Sequence, residues 1–293
     1  MNTFSSFSHK SNEPESNVLY IVGTPIGNMN DISYRALNIL KNVSLIACED
    51  TRQTKKIMYK FEFNNNLLSF NKHNSLNKIP KIINNLISGM SIALVSDAGM
   101  PGISDPGEDL IKIARTYGIK VICIPGPCAA ITALVSSGLP SSKFTFEGFL
   151  PKKKSERAKI LLEISKNDKT TILFEAPNRL IKLLNELKDF CGEEREIVVS
   201  RELTKKFEET IGNNIHEVID YFDNKEILGE ITILIKGISK KKYPFEFNEN
   251  ELKSEVKDLI NAGLSLSKAS KYLAKKKSLT KSVIYNIYKD QDK

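Results

Sequence analysis

The chain has 293 residues, of which 41% are hydrophobic and 27% charged, and a formal net charge of +8. That length holds one large or two medium domains with ample core, and no apolar run approaches the roughly 20 residues that a membrane-spanning helix needs. The positive balance points to a polyanionic partner, nucleic acid being the commonest. The chain is so rich in Lys, Asn and Ile that where the lysines sit says more than their number.

Residues 1–17 are polar, lack the apolar core of a signal peptide and read as a loose tail. An apolar run at 18–22 leads into Gly23-Thr24-Pro25-Ile26-Gly27-Asn28 and an amphipathic helix over about 31–41. A strand-like run at 43–48 ends in Glu49-Asp50-Thr51-Arg52 and a helical segment; another, at 67–70, precedes His73. Residues 92–95 break into a loop, 96–107, that carries three glycines and two prolines. Asp105-Pro106-Gly107-Glu108 reads as the start of a helix over about 106–117, with Asp105 as its cap. A run at 120–124 gives way to Pro125-Gly126-Pro127 and a helix of small residues through Ala129, Ala130 and Ala133. Strands alternating with helices predict βαβ units and a mostly parallel sheet.

A second set follows a junction at 139–151 with a proline near each end. Residues 171–174 lead into Glu175-Ala176-Pro177 and a helix to about Phe190, 196–200 lead into Arg201-Glu202-Leu203-Thr204, and 230–236 form a late strand. Past Gly237, Lys240-Lys241-Lys242-Tyr243-Pro244 reads as a linker. Three short helical patterns, near 249–262, 267–276 and 280–288, then resemble a helix-turn-helix. Gly263 marks a stop, and Ser267 and Thr280 mark starts. Their lysines, at 268, 271, 275, 276, 277, 281 and 289, lie near Tyr272, Tyr285 and Tyr288, a nucleic-acid pattern as well as a solvated face. The expected organisation is a tail (1–17), an N-terminal α/β domain (18–140), a second α/β domain (141–238) and a helical, RNA-contacting module (245–293).

Cys48, Cys123, Cys128 and Cys191 form no C-x-x-C pair and read as reduced, mostly buried thiols of a cytosolic protein. His9, His73 and His216 are dispersed, and no metal site is expected. Residues 23–28 match neither G-x-x-x-x-G-K-[ST] nor G-x-G-x-x-G, which argues against a nucleoside triphosphatase or a dehydrogenase. A buried strand followed by a glycine-rich loop and a helix start is a place to hold a small polar ligand. Pro125–Ala130 is bare enough for a flat group to lie against its backbone, or for tight helix packing. Glu49, Asp50 and Arg52 read as a local ion pair at a helix start or as a cluster for ribose or phosphate; Asp31 reads as a helix cap or a substrate contact.

Taken together, residues 19–31, 47–52, 95–107, 124–130, 174–180 and 200–204 resemble the tetrapyrrole methylase superfamily in content, order and spacing, over about 18–237. Within it the likeness is to the branch that methylates the 2′-oxygen of a cytidine in 16S rRNA of the small ribosomal subunit. The resemblance implies two α/β domains with S-adenosyl-L-methionine in the cleft between them. It places Asp97, Ala98, Gly99, Ile103, Ser104, Cys128 and Ala129 on one side of that cofactor, and Glu175, Ala176 and Leu203 on the other. Asp31, Glu49, Asp50 and Glu202 are candidates for a general base. Arg52, Arg179, Lys152, Lys153, Lys154, Lys271 and Lys275 are candidates for RNA contact. A cytoplasmic homodimer is the expected state. Two rivals stay open: a methyltransferase for tetrapyrroles or another small molecule, and a non-catalytic nucleic-acid-binding ligand sensor.

Overall fold

The computed structural model describes residues 13–238 and 249–277, together with 281, 284, 285 and 288. The described residues up to Ile238 form one compact unit and those from Glu249 a second.

The first unit holds two five-stranded sheets. In the first, β1 (Val18–Val22), β2 (Leu45–Cys48), β3 (Leu67–Ser69), β4 (Ile92–Val95) and β5 (Lys120–Ile124) lie in the order β3-β2-β4-β1-β5. Every pair is parallel. β1 and β4 are buried along their whole length, which is why they read as unbroken apolar runs rather than alternations. Alternation survives in three dimensions. Val18, Tyr20 and Val22 face the cluster that holds Ile39 and Leu40 of α1 (Tyr34–Asn42). Leu19 and Ile21 face Ile82 and Leu86 of α3 (Ser75–Ile87) and Leu110 of α4 (Glu108–Thr116). Between α1 and α3, α2 (Thr51–Lys60) follows β2.

In the second sheet, β6 (Phe144–Phe149), β7 (Thr170–Glu175), β8 (Glu196–Arg201), β9 (Glu209–Asn214) and β10 (Ile231–Ile235) take the order β6-β7-β10-β8-β9. Only β6 and β7 pair in parallel; β10 runs antiparallel to both β7 and β8, and β9 to β8. The expected parallel sheet therefore holds for the first sheet alone. One face, with Leu173, Ile197, Val199 and Ile233, carries α6 (Lys154–Lys166), α7 (Leu180–Cys191) and α8 (Ile215–Phe222). The other, with Ile172, Val198 and Leu234, is covered by Ala130, Ala133 and Leu134 of α5 (Ala129–Ser137). Thus α5, which precedes the junction at 139–151, packs on the second sheet, and its small residues let it lie close.

Three expected helix starts are corrected. α1 is capped by Ser33, whose hydroxyl accepts from Ala36 N at 3.1 Å, so Asp31 caps nothing there and ends an exposed 3-10 turn, Met29–Asp31. α4 begins at Glu108 with Gly107 at its cap and no side-chain cap bond, so Asp105 is not the cap. In the second unit α9 (Glu249–Asn261) ends before Gly263 as expected, but α10 (Leu266–Lys276) is capped by Ser265 rather than started at Ser267. Of the four thiols only Cys48 is buried, and Cys123 is exposed.

The second unit has its own core of Leu252, Val256, Ala269, Leu273 and Ile284. Lys268, Lys271 and Lys275 are exposed on α10, whereas Lys277 is paired with Glu255 of α9. Thr280 and Lys289 lie outside the described residues.

Candidate active site

All four loops that leave β1, β2, β4 and β5 emerge from the carboxyl edge of one parallel sheet, where ligands of α/β folds bind. Two of them are joined by backbone. Thr24 N donates to Gly99 O at 2.9 Å, Gly99 N donates to Thr24 O at 3.1 Å, and the Thr24 hydroxyl reaches Ser96 O at 3.2 Å. The β1 and β5 loops touch through bare main chain: a Cβ at Gly126 would stand 2.7 Å from Gly23 Cα.

This edge faces Glu175-Ala176-Pro177 at the end of β7 and Gly229-Glu230 at the start of β10 across a cavity of about 440 Å³, a volume usual for small-ligand sites. Asp97, Ala98, Gly99, Ile103, Ser104, Cys128, Ala129, Glu175 and Ala176 all line it. So do Ile26, Glu49, Asp105, Phe149 and Phe174.

The cavity is acidic inside a basic protein. Burial, then the nearby carboxylates of Asp105 and Asp97, push the Glu49 carboxyl above the usual range, against the pull of Lys72. Burial also raises Asp97, although the Asp50 N–H donates to its Oδ1 at 2.9 Å. Burial raises Asp105 too, against a hydrogen bond from Ser96. Lys72 is held at the rim, its Nζ donating to Ser104 O at 2.8 Å. Among the described residues no group of three or more His, Cys, Asp or Glu is placed to hold a metal ion, and the carboxylates act on one another through their charge. The cluster disfavours its own ionisation when alone and favours an organic cation, whose charge would relieve the repulsion.

The remaining candidates lie elsewhere. Asp50 caps α2 and is gripped by the Arg52 guanidinium at 2.6–3.0 Å, which holds its carboxyl below the usual range. Both residues are thereby spent on the local ion pair that the sequence allowed, although Arg52 keeps an exposed side chain. Burial pushes the Glu202 carboxyl up, but hydrogen bonds from Lys205 Nζ and Glu230 N outweigh it and bring the carboxyl below its ordinary value. Leu203 is buried under α5 in the core and does not line the cavity. Arg179 is turned onto Glu175 at 2.6 Å, so it is not free to clamp a phosphate. Lys152, Lys153 and Lys154 are exposed at the start of α6.

Glu175 is 2% exposed and explains the tie of this wall to the helices behind it. Its carboxylate is shared by Arg179 and, at 3.5 Å, by Arg157, which also donates to Glu186 at 2.6 Å. Removing one member of a buried ionic cluster strands the others. Arg157→Met is expected to destabilise the fold by about 3 kcal/mol, seen in calorimetry as a melting point lower by roughly 6–12 °C.

The sequence profile of Tetrapyrrole (Corrin/Porphyrin) Methylases matches residues 18–219. A ribosomal RNA small subunit methyltransferase I from Synechocystis is 41% identical over 270 residues, covering 92% of this chain and 96% of that one. The chain belongs to the tetrapyrrole methylase family, in its ribosomal RNA small subunit methyltransferase I branch. The Thermotoga maritima member of that name is 44% identical, and 98% of its length corresponds to only 75% of this chain. Among solved structures, the uroporphyrin-III C-methyltransferase of Thermus thermophilus complexed with S-adenyl homocysteine superposes with a TM-score of 0.53. It covers 74% of this chain and 96% of its own at 14% identity, and so shares the methylase fold.

Proposed function

We propose that the protein methylates the 2′-hydroxyl of a cytidine in 16S rRNA of the small ribosomal subunit, using S-adenosyl-L-methionine. The observation that carries this, beside the family, is a cleft with a small-residue wall and three carboxylates held above their usual range. That donor set suits a ligand with a flat ring and a positive charge. The cofactor, when bound, supplies an electrophilic sulfonium methyl and with it much of the chemistry. Asp97 and the backbone of Ala98, Gly99 and Ala129 would hold it. The chain must then align the ribose oxygen, and alignment alone is worth about 7–11 kcal/mol of barrier.

Glu49 is the base in this reading. Of the four carboxylates considered it alone lines the cleft; Asp31 is exposed outside it, and Asp50 and Glu202 are committed to cations. A proton leaving the hydroxyl would pass to a Glu49 oxygen, whose raised affinity for protons is what a base working near neutrality needs. The decisive experiment is transfer of radiolabelled methyl to undermethylated small subunits, to free 16S rRNA and to a tetrapyrrole, followed by nuclease mapping. Label in one ribose-methylated cytidine is expected; label in the tetrapyrrole alone would overturn the reading.

Lys271 and Lys275 are carried as RNA contacts by their exposure on α10. In this reading the module aids capture of the RNA and takes no part in the chemistry, since the cleft is lined by residues of the first unit alone. Removing residues 248–293 is expected to raise KM for small subunits about tenfold and to flatten its salt dependence, each lost phosphate contact contributing a slope of roughly 0.7–0.9. Cofactor affinity by calorimetry stays unchanged; an unchanged KM would make the module structural only. A homodimer remains part of the proposal on the strength of the resemblance, and sedimentation velocity reads it directly.

A further inference from the structure

Phe149 is a large apolar side chain that lines the cavity yet stays 54% exposed. Its position comes from an irregularity in β6. Against β7, Phe146 pairs with Ile172, Gly148 with Leu173 and Phe149 with Phe174, so Glu147 is the extra residue of a bulge. In regular alternation Phe146 and Phe149 would point to opposite faces. The bulge returns Phe149 to the face of Phe146, Ile172 and Phe174, the side of the sheet that bears the cleft. Gly148 makes the bulge possible with φ +61°, and a Cβ there would meet the Ser104 hydroxyl at 2.9 Å.

The ring is backed by other rings. Its centroid lies 5.7 Å from that of Phe174, and Phe146 meets Phe174 edge-on at 5.1 Å. A half-exposed ring anchored from behind offers a flat surface to a flat ligand at little cost in side-chain entropy. β6 is an edge strand of its sheet, and the chain runs on from Phe149 through Leu150 and Pro151 to the exposed Lys152, Lys153 and Lys154. Lys153 pairs with Glu156, whereas Lys152 and Lys154 make no ion pair among the described residues. An aromatic platform followed at once by cations fits a nucleotide, with a base to stack and phosphates to neutralise. Of the small residues that suit the cofactor, Ala98 and Gly99 lie on the facing edge, while Ala176 follows Phe174 on this side.

We propose that Phe149, backed by Phe174, forms the stacking wall of a nucleobase subsite that receives the base of the nucleotide being methylated. This rests on the RNA reading above. Stacking of an unpaired base would fix the sugar behind it, and so place the 2′-oxygen.

The test uses the full chain as Phe149→Ala, Phe149→Leu and Phe149→Tyr, with labelled methyl transfer to undermethylated small subunits and S-adenosylhomocysteine affinity by calorimetry. Alanine and leucine are expected to lower kcat/KM for the subunit about 5- to 100-fold, tyrosine to stay within about threefold, and all three to keep the wild-type cofactor affinity. Leucine as active as phenylalanine would overturn the proposal, because mere apolar packing would then suffice. So would a loss of cofactor affinity that matches the loss of rate, because the ring would then belong to the cofactor. Wild-type protein that labels no rRNA would overturn the RNA reading, and this subsite with it.

Discussion

Glu49→Gln is expected to lower the rate of methyl transfer about 10²–10⁴-fold, the contribution of a positioned base, and at the same time to raise the melting point of the cofactor-free protein. Both effects follow from one displaced equilibrium. Burial, Asp105 and Asp97 hold the folded-state carboxyl of Glu49 above its ordinary value of about 4.3. A group whose folded pKa is raised contributes stability that is fully present below the unfolded pKa and is lost as pH rises through the folded one. At neutral pH the ionised Glu49 therefore works against the fold, and glutamine, which keeps the shape without the charge, removes that penalty. The stability gap between wild type and variant should open as pH rises through the raised value and close in acid. Activity runs the other way, since the base must be ionised: kcat/KM for the cofactor, which reports the free protein, should fall as pH drops through the same raised value. Asp105→Asn, by removing one neighbouring negative charge, should move that acid limb to lower pH. A glutamine variant with full rate and an unchanged acid limb would rule Glu49 out as the base.

How far the site could be read in advance depends on what each residue's environment writes into the chain. β1 and β4 were legible to the residue, because strands buried on both faces must be continuous apolar runs; β5 was as legible from its apolar run, although it is an edge strand with Cys123 exposed. The loop after β4 was legible as a ligand loop because it interrupts such a run with glycine, proline and charge at the ligand-bearing edge, whereas Asp97 to Ser104 as individual contacts, and Glu175 and Ala176 facing them, came from the family resemblance. Leu203 and Arg179 show the limit. Arg179 follows the cleft residues Glu175–Pro177 closely in sequence, yet its side chain turns back onto Glu175, whereas Leu203 packs in the core and no residue near it in sequence lines the cavity. Chain proximity does not report side-chain direction. Asp105 misled because acid-proline-glycine-glutamate is a good helix start on paper, whereas its carboxyl lines the cavity and is hydrogen-bonded with Ser96. Phe149 left one signal, a glycine inside Phe144–Phe149. A glycine in a strand marks a bulge, and a bulge reverses the face of everything after it. The polar β9, with no buried residue, left no hydrophobic pattern at all.

The second large effect concerns the backbone contact behind the cleft, between Gly126 and Gly23. Gly126→Ala is expected to cost about 2–3 kcal/mol of stability, in the range of overpacked cores, and to weaken S-adenosylmethionine binding at least 100-fold. The new methyl would stand 2.7 Å from Gly23 Cα and 2.9 Å from Gly23 C and O. All three are backbone atoms of the β1 loop, which cannot swing aside as a flexible side chain would. Relief requires the β1 and β5 loops to part. The β1 loop, however, is pinned one residue later by the paired bonds between Thr24 and Gly99, so the strain passes directly into Gly99 and its neighbours on the cofactor wall. Gly99→Ala makes the control. Its φ of +80° carries a conformational penalty, but its Cβ would meet only Ile26 Cγ2 at 3.3 Å and Pro127 O at 3.5 Å. The penalty for a non-glycine residue in that region is about 1–2 kcal/mol, with no forced separation of loops. Calorimetry of both variants with S-adenosylmethionine should therefore rank Gly126→Ala well below Gly99→Ala in affinity. The reverse order would show that the two loops do not act as one wall, and that the ligand is held by the Asp97-Ala98-Gly99 turn independently of the contact behind it.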